Sequence, residues 1–148
     1  SQSLCKPLAE VLKRLGSEHV LVVHASDGLD ELTISGESTV AELKEGVVRE
    51  YTIRPEDFGF TQQSIDGLSV ENAQDSLTLI KAALGKEKSE TALKARTIIT
   101  LNAGAAIYAS DLASSLEEGI ELAADSIGSG LALAKLEDLA SFTRVFSE

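Results

Sequence analysis

The sequence of 148 residues predicts an α/β fold that consists of a helix, a buried strand, short antiparallel strands and a helical tail. The run Val20–Val23 is apolar at every position, which is typical of a strand covered on both faces in a parallel sheet. Segments enriched in Thr, Val, Ile and Tyr follow it and favour further strands. From Ser69 onward the apolar period becomes helical, so the second half is predicted to be all helix.

The first helix is predicted to begin near Pro7, which suits a first helical turn, and to end at Gly16. The buried strand comes next and spans His19–Ala25. After it, Gly and charged residues separate three extended segments, which we expect to form an antiparallel meander whose register the imperfect alternation does not fix. These segments are Leu32–Ser35, Thr39–Leu43 and Val47–Ile53.

Four helices are predicted in the tail. The first ends at Gly85 and has one apolar face made by Ala73, Leu77, Ile80 and Leu84. The second spans about Glu90–Ala109, is apolar nearly all round from Ile98, and should be the most buried. A capping box of Ser114 and Glu117 begins the third. The break Gly128-Ser129-Gly130 separates it from the last, which Leu133, Leu136 and Ala140 line.

Composition excludes several classes of protein. A net charge of −11 argues against nucleic acid and against anionic membranes as partners. No apolar stretch reaches the roughly 18 to 20 residues that a membrane span needs. The single Cys5 rules out a disulfide within the chain and favours a reducing cytoplasm. The absence of methionine, even at position 1, indicates a piece of a longer polypeptide.

An acidic turn directly after the buried strand is the strongest candidate for a functional site. Asp27, Asp30 and Glu31 lie within five residues, around the flexible Gly28. Ligands of parallel sheets collect beyond the carboxyl ends of the strands, and Mg²⁺ takes one or two protein carboxylates besides phosphate oxygens and waters. Asp30 and Glu31 could share one ion only where the chain is still turning. The alternative is a solvated turn in which Asp27 bonds to the backbone.

Other polar residues have structural interpretations. We expect a backbone group to satisfy His24, and His19 to be exposed. Asn102, if buried, should make a helix-packing hydrogen bond, and Cys5 should be inert. Gly128-Ser129-Gly130 joins two helices, so it does not have the context of a phosphate-binding loop.

Five segments, in this order along the chain, resemble the anthranilate phosphoribosyltransferases. They are Pro7–Gly16, then Val22-Val23-His24 with Asp27–Glu31, then Tyr51–Gly59, then Leu101–Tyr108, and finally Ser129–Leu136. Together they cover essentially the whole chain. One departure is Ala25, where the family usually has Gly.

The resemblance implies transfer of a phosphoribosyl group from phosphoribosyl pyrophosphate to anthranilate, in tryptophan biosynthesis, by a magnesium-dependent cytoplasmic homodimer. It implies that Asp30 and Glu31 are the magnesium-associated pair. Residues 1–148 are then the C-terminal part of a nucleoside phosphorylase/phosphoribosyltransferase-type α/β domain. The helical domain, the glycine-rich loop and the main anthranilate contacts would lie upstream. No catalytic residue is expected in this chain, which alone should be inactive.

Three other functions stay open from the sequence. A non-catalytic relative could bind nucleic acid through the same scaffold, although the net charge of −11 and the pair Asp30-Glu31 argue against it. An enzyme similar to the pyrimidine nucleoside phosphorylases would have a larger glycine-rich C-terminal extension. A structural or interaction domain would use no metal.

Overall fold

The structure is a computed structural model and describes residues 1–146. A 3₁₀ turn at Gln2–Leu4 leads into the first helix, and a second 3₁₀ turn at Pro55–Phe58 follows the last strand. The strands are β1 (Val20–Ala25), β2 (Ser38–Lys44) and β3 (Val47–Ile53). The helices are α1 (Cys5–Arg14), α2 (Ala73–Leu84), α3 (Glu90–Ala109), α4 (Leu116–Gly128) and α5 (Leu131–Arg144). Apart from the strand predicted at Leu32–Ser35, the predicted order of elements is therefore confirmed.

The three strands form one antiparallel sheet in the order β1-β2-β3. Val20 lies opposite Leu43 in the first pair, and Lys44 lies opposite Val47 in the second. Glu45 and Gly46 have φ values of 51° and 74°, which is the left-handed pair that a two-residue hairpin needs. Within residues 1–146 the only partner of β1 is the antiparallel β2, so the predicted parallel pairing is not present in this part of the molecule.

Helices cover both faces of the sheet, which explains why β1 is apolar on both. On one face Cys5 and Ala9 of α1 pack on Ala41 of β2. On the other, Val40 packs with Leu101 of α3 in the main core. Val40 and Ala41 are adjacent and therefore point to opposite faces, so each face of the central strand belongs to a different core.

The segment Leu32–Ser35 is not the strand that the sequence predicted. Its backbone bonds to side chains and to a loop instead of a neighbouring strand: the Thr33 amide donates to Ser38 Oγ at 3.0 Å, and the Ile34 carbonyl accepts from the Gln63 amide at 2.8 Å. Leu32 and Ile34 nevertheless lie in the main core. The segment contains apolar residues because they are buried in the core, and this apolar pattern was interpreted as that of a strand.

The helical tail begins and ends close to the predicted positions. α3 spans the predicted residues and α2 ends at Gly85 as predicted. The predicted capping box was wrong by one residue, because Ser115 caps α4 by accepting from the Glu118 amide and the Glu118 carboxylate binds Ser114. No helix in residues 1–146 combines the length and the apolar character needed to cross a bilayer.

Helices α3 and α4 cross in backbone contact. A Cβ added at Gly104 would lie 2.5 Å from the Ile120 Cα, and one added at Gly119 would lie 2.4 Å from the Gly104 carbonyl oxygen. Neither distance is tolerated between real atoms, so only glycine allows this approach. The contact fixes α3 relative to α4 and to the sheet.

Candidate functional site

The acidic turn lies where the sequence placed it, directly after β1. Its backbone folds back on itself, because the Ala25 amide donates to the Leu29 carbonyl and the Gly28 amide donates to the Ala25 carbonyl, both at 3.0 Å. Gly28 has a φ of +95°, which non-glycine residues rarely adopt. The chain then bends at Asp30 and Glu31 rather than continuing as a strand. This bend is the condition under which two adjacent carboxylates can serve one ion.

Asp27 is occupied by hydrogen bonds within the turn. One carboxylate oxygen accepts from the Leu29 amide at 3.2 Å, and the other accepts from the hydroxyls of Thr33 and Ser35 at 2.5 and 2.6 Å. Desolvation raises the pKa of Asp27, but hydrogen bonds from Ser35, Thr33 and Leu29 outweigh it and lower the pKa below its ordinary value. Asp27 therefore stabilises the turn. This agrees with the alternative prediction, in which Asp27 bonds to the backbone.

Asp30 and Glu31 are exposed and have no protein partner among the described residues. The ion pairs within residues 1–146 all involve other side chains. In the same range no group of three or more His, Cys, Asp or Glu side chains could hold a metal ion. Two adjacent free carboxylates match what Mg²⁺ takes from proteins when phosphate oxygens and waters complete its octahedron. The pair fits a substrate-bound cation better than a structural one.

Asn102 reaches the turn from α3. Its side chain bonds both backbone groups of Leu32, the residue after Glu31, and also bonds the Ile98 carbonyl of its own helix. The sequence predicted a helix-packing bond for Asn102 and missed the contact with the acidic turn. An isolated polar residue in an apolar helix was the available signal, but nothing in the sequence identified its partner.

An apolar groove of about 380 Å³ lies beside Glu31. Leu29 and Glu31 form its rim on the side of the turn, and side chains of α2 and α3, including Leu79 and Ile98, form its floor. The acidic pair is therefore next to an apolar surface, and the sequence did not predict this groove.

A second polar cluster lies at the other end of β1 and is buried. Tyr108 donates its hydroxyl to Glu42 at 2.6 Å, and His19 packs edge-on against the Tyr108 ring. His19 Nδ1 lies 2.7 Å from the Asp111 carboxylate. The His19 side chain is 4% exposed, so the prediction of an exposed histidine was wrong. His19 lies under Tyr108 because α3 passes over the start of β1.

Two tyrosines complete this cluster around Glu42. Burial and the adjacent Glu42 carboxylate raise the pKa of Tyr51. Burial also raises the pKa of Tyr108, assisted by its bond to Glu42 and opposed by Lys44. Glu42 is buried and bonded to Tyr108, so we interpret the cluster as a structural element.

The remaining candidates carry no chemistry. His24 lies in a polar depression with Ser26 and Thr39. The histidine hydrogen bond and ion pairs within residues 1–146 all belong to His19, so the predicted backbone bond of His24 was wrong. Cys5 is buried, and burial raises the pKa of its thiol, as expected of an inert cysteine. Gly128-Ser129-Gly130 connects α4 to α5 as predicted.

A family model described as "Glycosyl transferase family, a/b domain" matches residues 1–133. The chain belongs to this family. Members among the curated proteins include the anthranilate phosphoribosyltransferase of Hahella chejuensis, 63% identical over 98% of this chain, and that of Stutzerimonas stutzeri, 59% identical over all of it. The chain spans about 42% of the length of each.

Solved structures of relatives agree on the fold. The anthranilate phosphoribosyltransferase of Thermus thermophilus matches 97% of the chain with a TM-score of 0.84 at 33% identity, and 41% of that structure is covered. The Saccharomyces cerevisiae enzyme, solved in complex with PRPP and Mg, matches 93% of the chain with a TM-score of 0.78, and 39% of its own length is covered. At 23% identity the yeast structure shows the shared fold of the family. These comparisons confirm the resemblance that the five segments carried.

Proposed function

We propose that this chain is the C-terminal part of the α/β domain of an anthranilate phosphoribosyltransferase. The enzyme would act in tryptophan biosynthesis, in the cytoplasm and as a homodimer. It would join the amino nitrogen of anthranilate to C1 of the ribose of phosphoribosyl pyrophosphate. The bond from C1 to pyrophosphate breaks and the amine loses a proton, which gives N-(5-phosphoribosyl)anthranilate and pyrophosphate. The upstream helical domain and glycine-rich loop would supply the other substrate contacts.

One observation carries this proposal. Asp30 and Glu31 lie exposed in a bend after β1 and have no partner in the part of the chain that the structure describes, while Asp27 is hydrogen-bonded to Thr33 and Ser35. The chain as a whole is 63% identical to the Hahella chejuensis enzyme over 145 residues, which supports the same role for its parts. The net charge of −11 argues against the nucleic-acid-binding alternative.

Asp30 and Glu31 would hold Mg²⁺, either directly or through the waters of the ion. The ion would neutralise the charge that develops on the departing pyrophosphate. The two carboxylates would orient that group rather than exchange protons with it. Positioning and electrostatic stabilisation are therefore the contribution of this chain, and no side chain in it is assigned as a general base or nucleophile.

The test uses a chimera in which these 148 residues replace the corresponding segment of the Hahella chejuensis enzyme. We expect the chimera to convert anthranilate and phosphoribosyl pyrophosphate, and the isolated chain to be inactive. Turnover by the chain alone, or a chimera that folds and accepts thymidine with phosphate but not anthranilate, would contradict the proposal.

The double variant D30N/E31Q tests the metal pair in this chimera. Removing electrostatic groups from such a site typically costs about 10² to 10³ in rate, and we expect a loss of at least this size in kcat/KM for phosphoribosyl pyrophosphate. The matched control is D125N/E121Q, which removes the same charges from exposed positions on α4. Unchanged magnesium dependence in D30N/E31Q would remove the assignment of these residues.

A further inference from the structure

The side-chain amide of Asn102 makes two hydrogen bonds to the backbone of Leu32, the residue that follows the acidic turn. We call this pair of bonds the clamp. The Oδ1 of Asn102 accepts from the Leu32 amide at 2.8 Å, and its Nδ2 donates to the Leu32 carbonyl at 2.9 Å. The second hydrogen of Nδ2 goes to the Ile98 carbonyl at 2.9 Å. Both hydrogens of the amide are thus used, and α3 is bonded directly to the turn.

Only a carboxamide of this length can do this. A carboxylate would accept from the Leu32 amide but would face two carbonyl oxygens without a hydrogen to donate. An apolar side chain would leave both backbone groups of Leu32 without partners, next to a side chain that is 1% exposed. Asn is a poor helix former, so its presence in the middle of α3 calls for such a tertiary contact.

With the clamp, the backbone is hydrogen-bonded on both sides of the Asp30-Glu31 pair. On the preceding side, both backbone groups of Leu29 are bonded, its amide to Asp27 and its carbonyl to the Ala25 amide. On the following side, both backbone groups of Leu32 are bonded to Asn102. Asp30 and Glu31 are therefore a two-residue span between two fixed residues, and their Cα positions are set while their carboxylates stay exposed.

We infer that Asn102 is a positioning residue for the Asp30-Glu31 pair. By fixing the peptide bond between Glu31 and Leu32, it restricts the backbone from which the two carboxylates extend before an ion binds. This inference rests on the proposed function of the pair. Groups that orient metal ligands typically contribute about 10- to 100-fold in metal affinity.

A role confined to core packing makes a different prediction. Loss of a packing bond on α3 would lower the melting temperature and leave the magnesium requirement unchanged. Thr100 provides the matched control, because it is buried on the same helix and its hydroxyl donates to the Arg96 carbonyl at 2.8 Å, away from the turn. T100V removes one buried hydrogen bond with little change in shape.

The experiment compares N102A, N102D and T100V in the full-length chimera at a temperature where all are folded. Two quantities are measured: the Mg²⁺ concentration that gives half-maximal turnover, and the hydrogen exchange of the amides in residues 27–32 without metal. We expect N102D and N102A to raise the half-maximal Mg²⁺ concentration about tenfold or more and to speed exchange in the turn. T100V should change neither quantity. N102D keeps the size of the side chain and serves if N102A does not fold.

The outcomes separate the two claims. If D30N/E31Q raises the Mg²⁺ requirement but neither Asn102 variant does, the inference about Asn102 is overturned and the proposed function stands. Unchanged exchange in residues 27–32 would overturn it as well, because the clamp would then not order the turn. If D30N/E31Q leaves the Mg²⁺ requirement unchanged, the proposed metal pair fails and the role of Asn102 toward it fails too.

Discussion

The polar groups near the two ends of β1 differ in whether they are buried and in contact with one another or exposed and open to a ligand. At the start of the strand, Glu42 and Tyr108 are buried and bonded to each other beside His19. At its end, Asp30 and Glu31 are exposed and unpartnered within residues 1–146. Helix α3 supports both regions, with Tyr108 at one and Asn102 at the other. Internally bonded groups stabilise the fold, whereas open carboxylates remain available to a ligand.

The buried cluster should be the more costly region to damage. Glu42→Leu removes the acceptor of the Tyr108 hydroxyl and leaves His19 without its nearest carboxylate on β2. We expect the free energy of unfolding to fall by about 3 kcal/mol, as for other buried networks that lose one partner. Urea unfolding followed by circular dichroism measures it. Glu50→Leu, at an exposed position on β3, should stay within about 0.5 kcal/mol of the unaltered chain. Equal losses in both variants would contradict a structural role for the cluster.

Displacing α3 should disturb both the buried cluster around Glu42 and the acidic turn, because α3 contacts both. Gly119→Ala places a Cβ against the backbone of Gly104 and forces the two helices apart. Overpacking of this kind costs about 1–3 kcal/mol, which thermal or urea unfolding would detect. The control is Gly128→Ala on the same helix, where a Cβ meets nothing within 4 Å. That variant should be neutral or more stable, by up to about 1 kcal/mol, since Ala is the better helix former.

The tyrosine signal of an alkaline titration reports on the cluster alone, because both tyrosines of the chain, Tyr51 and Tyr108, belong to it. Both have raised pKa values in the folded state, so the folded protein keeps their protons above the ordinary value of 10.0. Their contribution to stability is therefore complete below pH 10.0 and is lost as the pH rises through the folded pKa values. We expect tyrosinate absorbance to appear above pH 10.0 and together with unfolding. Ionisation of both tyrosines at their ordinary pKa, with the fold intact, would contradict this.

Acid titration addresses the turn. The pKa of Asp27 is lowered in the folded state, so its contribution is present above the unfolded value of 3.8 and is lost as the pH falls through the folded pKa. We expect the protection of amides 27–35 against hydrogen exchange, taken relative to the intrinsic rate at each pH, to fall over that range. Asp27→Asn should speed this exchange already at neutral pH and reduce the acid-dependent part. The Asp27→Asn substitution should lower the free energy of unfolding by about 1 kcal/mol, because the hydrogen bonds from Thr33 and Ser35 are weakened but not lost.

The smallest effect on stability should come from the proposed metal pair, Asp30 and Glu31. D30N/E31Q removes two exposed charges that have no partner among the described residues, and surface substitutions of this kind stay within about 0.5 kcal/mol. Unfolding by urea should therefore be nearly unchanged in D30N/E31Q, the variant that we expect to lose magnesium-dependent turnover. A large loss of stability would show that the pair has a structural role.

Local signals in the sequence predicted most elements well. The helical period placed α3 at its observed residues, and Gly85 and the break at residues 128–130 ended α2 and α4 correctly. The acidic turn was predicted because an apolar run stops abruptly at three carboxylates. These features depend on neighbours within a few residues, so periodicity, capping and turn residues suffice to predict them.

Where the prediction was wrong, the deciding partner is distant in sequence. Leu32–Ser35 is apolar because it enters the core, yet its backbone bonds to Ser38 and Gln63 rather than to a strand. His19 is buried because Tyr108, 89 positions further along the chain, lies over it. Chemical type alone gives no indication of such a neighbour.

By itself, the sequence determined the helices, the three strands that pair and the carboxylates that follow β1, because these depend on short-range spacing. The tertiary structure alone decided which of those carboxylates are engaged. Asp27 and Asp30 are the same residue type three positions apart. The hydroxyls of Thr33 and Ser35 donate to the Asp27 carboxylate, whereas the Asp30 carboxylate stays exposed. Asn102 meets Leu32 across 70 positions of chain, and only the packing of α3 under the turn brings the two together.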